Sequence, residues 1–189
     1  RTQLQAATDP ATGLVNRRAL EAAVCELMRR KQPFALLMAD LDKFKLLNDT
    51  FGHLVGDEAL RLFAETIKRS VRDEDTVARY GGEEFALVLA GSDARDGMAW
   101  ADRARARLVK ALGNGRVPRF TASFGVADST MAEHYEDLLR IADEALYRSK
   151  EQGRDRATHG STCAANEPMT RQLSEHTERI DVQRLSVMI

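Results

Sequence analysis

The sequence predicts an α/β fold in which about five strands form a mixed sheet flanked by helices. Apolar patterns with helical spacing alternate with short strand-like apolar runs, and two of these runs are joined by Gly81-Gly82. The alternation is typical of parallel crossovers, whereas a Gly-Gly connection is typical of a hairpin whose turn has positive φ. We therefore expect parallel strands with one antiparallel pair inserted.

Composition excludes several classes of protein. The chain has 189 residues, is 43% hydrophobic and carries 28 basic against 29 acidic residues, which is enough to form a core and gives no general attraction to a nucleic-acid polymer or a membrane. Its two cysteines match no metal-binding spacing and favour a reducing compartment. No apolar run reaches the roughly 20 residues of a membrane helix. We expect a cytoplasmic location, with a membrane anchor left open for a longer parent chain.

The N-terminal half contains helical and strand patterns in turn. Asn16 is expected to cap a helix that runs to about Lys31, and residues 34–42, "FALLMADLD", predict a central strand buried on both faces. Residues 43–53 predict a short polar helix or a loop. The helix after Asp57 has one apolar stripe, formed by Leu60, Phe63, Ile67 and Val71.

The C-terminal half continues the alternation. Strand-like runs flank Gly81-Gly82, and further patterns predict a helix over 94–112, a strand over 119–127 and a helix over 135–151. Beyond Ala157 the periodicity is lost. We expect one domain over residues 9–158, a linker or the end of an upstream helix over 1–8, and an extension of unknown role over 159–189. The first residue, Arg1, favours a fragment of a longer chain with an upstream sensor domain.

Adjacent glutamates at the hairpin are the first candidate site. Glu83 and Glu84 repel each other, and burial would raise their pKa values unless a cation compensates. Along a strand they face opposite sides, so one of them can share a face with Asp40 and Asp42 at the acidic end of the 34–42 strand. Carboxylates from both strands would form an oxygen site suited to Mg²⁺ or Mn²⁺. The alternative is a solvated acidic turn.

Three further groups of polar residues each have a functional and a plain structural interpretation. Asp57 either caps a helix or, with Asn48, binds guanine, whose N1-H and N2-H₂ donors a carboxylate accepts. Lys150 and Arg154 either stabilise a helix C-terminus or neutralise phosphates. Arg72 and Asp75 form either a surface ion pair or a site for a guanine base.

Several motifs together resemble one family. "GGEEF" at 81–85 is a variant of the signature that names the GGDEF family of diguanylate cyclases. "DPATGLVNRRAL" at 9–20, "DLDKFKLLNDTFGHLVGDEAL" at 40–60, "SFGVA" at 123–127 and "ADEALYRSKEQGRD" at 142–155 resemble its other segments, in the same order. Ala11 and Phe124 depart from the usual Leu and Ile, and no charged position is lost.

This resemblance implies a fold like that of class III nucleotide cyclases and polymerase palms, and condensation of two GTP into cyclic di-GMP by a homodimer. It implies two Mg²⁺ or Mn²⁺ ions per active site, held by Asp40, the Leu41 carbonyl, Glu83 and Glu84. The substrate positions that it implies are Phe44, Lys45, Asn48, His53, Asp57, Gly81, Gly82, Lys150 and Arg154. It also implies product inhibition at Arg72, Asp75 and Arg103. The alternative is a silent module that binds cyclic di-GMP or GTP.

Overall fold

The computed structural model describes residues 7–113, 115 and 117–161, which form six strands and five helices. In chain order the elements are β1 (Val15–Asn16), α1 (Arg17–Arg29), β2 (Phe34–Leu41), α2 (Phe44–Phe51), α3 (His53–Lys68), β3 (Thr76–Arg79), β4 (Glu84–Ala90), α4 (Ala94–Leu112), β5 (Ala122–Asp128), α5 (Tyr135–Glu151) and β6 (Ala157–His159). No helix of this described part is long and apolar enough to cross a membrane.

The six strands form one mixed sheet in the order β1-β3-β4-β2-β5-β6. Every residue of β2 is buried, as expected for a strand covered on both faces. The expectation of parallel strands with one antiparallel pair is wrong, because β2–β4, β2–β5 and β3–β4 are all antiparallel. The parallel pairs are β1–β3 and β5–β6, each with a short edge strand. A continuous apolar run shows that a strand is buried but carries no information about the direction of its neighbours.

Two apolar layers enclose the sheet. On one face the odd-numbered side chains of β2, such as Leu37, pack with helices α2, α3 and α4. On the other face the even-numbered ones, such as Leu36 and Met38, pack with α1 and α5. Burying a side chain of this size stabilises the fold by about 1.5 to 3 kcal/mol. The alternation therefore fixes which face of β2 each polar residue at its end joins.

Helix starts follow local capping chemistry at two positions. Asn16 caps α1 as predicted, since its side chain accepts a hydrogen bond from the Ala19 N-H. Asp93 caps α4 in a reciprocal capping box with Asp96. The capping interpretation of Asp57 is wrong, because α3 already begins at His53 after Gly52. Asp57 is an exposed residue of the second turn, so a capping role does not account for it.

The end of the domain lies beyond the last helical pattern. Helix α5 occupies the predicted range, but the chain then forms β6, which pairs with β5 through Ala157, Thr158 and His159. A strand of three residues is too short to produce a periodic pattern. Most of the predicted extension, residues 162–189, and most of the predicted linker, residues 1–6, lie outside the described residues.

Candidate active site

The acidic ends of β2 and the hairpin lie side by side, as the sequence predicts. Asp40 is the register partner of Glu84 across the antiparallel β2–β4 pair, and the Leu41 N-H donates to the Glu83 carbonyl at 3.3 Å. Side chains of directly opposite residues project from the same face of a sheet. Glu84 is therefore the glutamate that shares a face with Asp40, while Glu83 sits one residue along, in the turn.

Lys150 supplies the cation that two neighbouring carboxylates require. Its Nζ lies 2.8 Å from Asp40 Oδ2, and the Asp40 side chain is only 7% exposed. Burial raises the pKa of Asp40 to about 6, with Lys150 acting against this shift and Glu83 and Glu84 adding to it. The helix-dipole interpretation of Lys150 is thus incomplete, because its ammonium is paired with a buried carboxylate.

The donor chemistry of this site fits a divalent cation. Asp40, Glu83 and Glu84 offer only oxygen atoms, and their joint charge exceeds what Lys150 neutralises. Within the described part of the chain, however, no three Asp, Glu, His or Cys side chains are gathered closely enough to hold a metal ion. The carboxylates thus suit Mg²⁺ or Mn²⁺ in donor type and charge but are not arranged as a ligand set, and the ammonium of Lys150 lies beside Asp40 instead.

Asp42 does not join this acidic group. Its carboxylate accepts hydrogen bonds from Thr121 Oγ1 at 2.6 Å and Ser123 Oγ at 2.7 Å, both on the β5 side. The expectation that Asp40 and Asp42 share a face is wrong, because β2 ends at Leu41 and strand alternation does not extend to Asp42. The register and these contacts assign the position that faces the hairpin glutamates to Asp40.

The hairpin turn has a different geometry from the predicted one. Neither Gly81 nor Gly82 has positive φ. The turn instead spans residues 80–83 and is closed by hydrogen bonds from Tyr80 N and Gly81 N to the Glu84 carbonyl, at 2.8 and 3.1 Å. A Cβ on Gly81 would lie 2.5 Å from Glu84 Oε2. The absence of a side chain at Gly81 therefore gives the Glu84 carboxylate its present position, and positive φ is not the reason for the glycine.

Arg79 stabilises the turn through its guanidinium group. It was not identified from the sequence as a residue of the site. Its guanidinium donates to the Gly82 carbonyl at 2.7 Å and to the Gly81 carbonyl at 3.2 Å, and it pairs with Asp9 at 3.3 Å. Both charged side chains are mostly buried. The sequence does contain a signal for this role, because an arginine stands just before a glycine turn whose carbonyl groups need hydrogen-bond donors. Arg79 thus fixes the backbone that presents Glu83 and Glu84.

The predicted base-binding residues lie on α2 and the start of α3. Asn48 packs against Gly56, where any Cβ would overlap its Oδ1. That oxygen is buried and has no hydrogen-bond partner. Asp57 is exposed one residue beyond Gly56. An unpaired buried acceptor costs about 1 to 3 kcal/mol, so the packing of Asn48 against Gly56 leaves a hydrogen bond unmade within the described domain.

The other predicted substrate residues surround these groups. Phe44 is buried at the start of α2, whereas Lys45 and His53 are exposed. Arg154 is exposed in the turn after α5 and, with Lys43, lines a cavity of about 630 Å³. Asn48 and Asp57 do not line that cavity. Lys150, the other phosphate candidate, does not line it either, because its ammonium is paired with Asp40.

The predicted inhibitory residues occupy a separate surface. Arg72 and Asp75 line a cavity of about 300 Å³ beside β1 and β3. The simple ion-pair interpretation of these two residues is wrong, because Arg72 pairs with Glu74 at 3.8 Å while Asp75 accepts from the backbone N-H groups of Arg72 and Ala90. Arg103 is exposed on α4 and does not line this cavity.

Comparisons with known proteins agree with this geometry. Over residues 6–156 the chain matches the family described as "Diguanylate cyclase, GGDEF domain". It is 38% identical over 161 residues to diguanylate cyclase VdcA of Vibrio cholerae, a match that covers 82% of this chain and 48% of VdcA. The chain spans 34% to 48% of the length of the first curated relatives that it matches.

Solved structures agree as well. The GGDEF domain of DgcB from Caulobacter crescentus in complex with c-di-GMP is 33% identical with a TM-score of 0.74, over 82% of this chain and 95% of that one. The active GGEEF domain of a diguanylate cyclase from Vibrio cholerae is 32% identical with a TM-score of 0.68, over 78% of this chain and 98% of that one.

Proposed function

This chain belongs to the GGDEF family, and we propose that it is a diguanylate cyclase, which condenses two GTP into cyclic di-GMP and releases two pyrophosphates. The observation that carries the proposal is the register pairing of Asp40 with Glu84, with Lys150 2.8 Å from Asp40. An acidic pair, with Asp40 buried and Glu84 partly exposed, beside one partly exposed cation is suited to metal ions and a triphosphate.

We propose that Asp40, the Leu41 carbonyl, Glu83 and Glu84 hold two Mg²⁺ or Mn²⁺ ions. When bound, such ions neutralise charge on the triphosphate and favour the deprotonated 3'-hydroxyl. In this scheme Lys150 leaves Asp40 and donates to phosphate oxygens, and Arg154 adds a second, forked set of donors. Arg79 keeps the glycine turn fixed while the carboxylates change partners.

Guanine is the base that the residues on α2 and α3 suit. The Asp57 carboxylate accepts from guanine N1-H and N2-H₂, two donors that adenine lacks at these positions. The Asn48 amide can pair with guanine O6 or N3, both of which accept a hydrogen bond from its N-H₂ group. Lys45 and His53 lie beside them on the exposed surface, and Phe44 anchors the start of α2 in the core.

Ring closure requires a second copy of the chain. Each domain binds one GTP in this scheme, and the 3'-hydroxyl of that GTP needs the α-phosphate of another. Two protomers that face each other place each hydroxyl in line with the opposite phosphate, and this orientation supplies much of the rate enhancement. The active species is therefore a homodimer.

The product is proposed to bind at Arg72 and Asp75 and to inhibit the enzyme, with Arg103 as a further ligand. The Arg72 side chain is 73% exposed and its ion pair with Glu74 is long, so its guanidinium is accessible to a guanine edge. The complex of the DgcB domain with c-di-GMP supports binding of this nucleotide by the family. Calorimetry should find that Arg72→Ala weakens cyclic di-GMP binding, and unchanged affinity would count against this assignment.

The test of the proposed activity is a product assay. The purified chain is incubated with GTP and Mg²⁺, with and without a fused dimerising segment, and the nucleotides are separated by chromatography. Cyclic di-GMP should form, and faster in the fused protein. GTP binding without product in the fused protein would favour the silent binding module. Lys110→Met, at the exposed end of α4, is a control that should leave the rate unchanged.

A further inference from the structure

Asp42 is a buried carboxylate to which the proposed chemistry gives no role. It is 6% exposed and lies directly after β2. Its Oδ1 accepts from Ser123 Oγ, and its Oδ2 accepts from Thr121 Oγ1 and from the backbone N-H of Asp155 at 3.1 Å. Buried charges persist only where such donors satisfy them. The contact with Asp155 joins the end of β2 to the segment after α5.

That segment has an unusual backbone. Gly153, Arg154 and Asp155 have φ values of 113°, 65° and 46°, three successive residues in the left-handed region. Arg and Asp rarely adopt this conformation because it brings Cβ too close to the backbone, so neighbouring contacts must hold it. The Arg154 N-H donates to the Ser149 carbonyl at 2.9 Å, which leaves Asp42 as the acceptor for Asp155 N.

A second left-handed segment, the single residue Lys43, directly follows Asp42 in the chain. Lys43 has a φ of 57° and connects β2 to α2. Lys43, Asp42 and Arg154 line the same cavity of about 630 Å³. The carboxylate of Asp42 therefore lies between two strained segments, each of which carries an exposed cation.

We propose that Asp42 is a positioning residue that acts through Arg154. By accepting the Asp155 N-H it holds the 153–155 turn in its left-handed conformation, and this directs the Arg154 guanidinium at the β and γ phosphates of GTP. The inference rests on the proposed function for the identity of the ligand. It assigns Asp42 to the turn and excludes it from the metal-binding carboxylates.

The first experiment compares Asp42→Ala with Asp42→Asn. Binding of the β,γ-imido analogue of GTP and of GMP, each with Mg²⁺, is measured by calorimetry. Asp42→Ala should lower the affinity for the triphosphate analogue about tenfold, which is the effect of losing one charge-assisted contact. Its affinity for GMP should change by less than about threefold. Asp42→Asn keeps an oxygen for the Asp155 N-H and should stay within about threefold for both. If Asn is as damaging as Ala and raises the Mg²⁺ requirement, Asp42 is a metal ligand and the inference fails.

A double-mutant cycle tests whether Asp42 acts through Arg154. Arg154→Ala alone should weaken the triphosphate analogue about tenfold or more. If the proposal holds, Asp42→Ala adds no further loss to Arg154→Ala, because the side chain that it positions is already gone. If the loss of affinity in the double variant equals the product of the two single losses, the two residues act independently and the proposal is overturned.

The turn itself supplies a test that leaves Asp42 intact, should Asp42→Ala not fold. Asp155→Gly keeps the N-H and accepts positive φ, whereas Asp155→Val keeps the N-H but disfavours that conformation. Both variants lose the ion pair between Asp155 Oδ1 and Arg105 Nε, which are 2.9 Å apart. A difference in affinity between the two variants therefore reports the effect of backbone conformation alone. The affinity of Asp155→Gly for the triphosphate analogue should lie within about threefold of that of the natural chain, and that of Asp155→Val should be about tenfold lower. Equal affinities of the two variants would refute the positioning role.

These outcomes separate the inference from the activity on which it rests. If the natural chain makes no cyclic di-GMP but the cycle is non-additive, the proposed function fails alone. If cyclic di-GMP forms and the cycle is additive, the positioning role fails alone. Cyclic di-GMP binding at Arg72 should stay unchanged in every variant, and a parallel loss there would show general unfolding and overturn the specific role.

Discussion

Replacing Lys150 with Met tests how the acidic end of β2 is kept stable without a metal ion. The ammonium lies 2.8 Å from Asp40 Oδ2, where burial, Glu83 and Glu84 all disfavour the carboxylate. Removing one partner of a fully buried pair costs about 3 to 5 kcal/mol, and because Lys150 is 31% exposed we expect about 2 to 3 kcal/mol. The loss should appear in urea unfolding at neutral pH in EDTA.

Addition of Mg²⁺ should partly reverse this loss. In the natural chain the ammonium competes with a divalent ion for Asp40, whereas in Lys150→Met the carboxylates are free to bind it. At a Mg²⁺ concentration about tenfold above its dissociation constant, the metal should stabilise the variant by about 1.4 kcal/mol, and the natural chain by less. A loss of stability that is the same with Mg²⁺ and with EDTA would refute this reasoning. Lys110→Met, an exposed lysine at the end of α4, is the matched control and should change stability by under about 0.5 kcal/mol.

Three further predictions concern the scaffold of the site. Gly125→Ala should destabilise the chain by about 3 kcal/mol or more in urea, because the new Cβ would overlap the backbone of α5, which carries Lys150. Asp128→Asn should destabilise it by about 1 to 3 kcal/mol at neutral pH. Burial raises the pKa of Asp128, but hydrogen bonds from Thr130 and Ala94 outweigh it and lower the pKa below 3.8, so this stability is present above pH 3.8 and is lost in more acidic solution. Arg79→Met should lower kcat of the cyclase more than it raises KM for GTP, since the glycine carbonyls lose their donors.

Each of these predictions has an outcome that contradicts it. An unchanged urea midpoint in Gly125→Ala would mean that α5 does not contact β5 as closely as described. If the difference between Asp128→Asn and the natural chain stays the same from pH 7 to pH 3, the carboxylate charge is not responsible. Equal changes in kcat and KM for Arg79→Met would show a loss of folded protein rather than of turn geometry.

Local patterns predicted the parts of the fold that depend on nearby residues. Asn16 as a cap, the fully buried β2 and the range of α5 all follow from composition and periodicity within a short window. The pairing of Asp40 with Glu84 does not follow from such patterns, because the Gly81-Gly82 hairpin joins β3 to β4, whereas β2 and β4 lie far apart in the chain. The sequence indicated only that the acidic end of β2 and the hairpin could lie side by side.

The remaining features depend on contacts between distant residues. The antiparallel neighbours of β2 are set by which strands the helices allow to meet, and β6 is ordered by β5 rather than by its own sequence. The contacts of Asp42 join residues about eighty and more than a hundred positions away, at Ser123 and Asp155. No pattern within one element contains that information, so these roles emerged only from the structure.

Subunit mixing tests the central claim most directly. A double variant, Glu83→Gln with Glu84→Gln, is combined with the natural chain in dimerised form, and the rate of cyclic di-GMP synthesis is measured against the natural fraction. If two facing domains must each align one GTP, the rate falls with the square of that fraction, to about a quarter at equal amounts. A linear fall, to about half, would contradict a reaction shared between two copies, and no cyclic di-GMP from the natural dimer would contradict the activity itself.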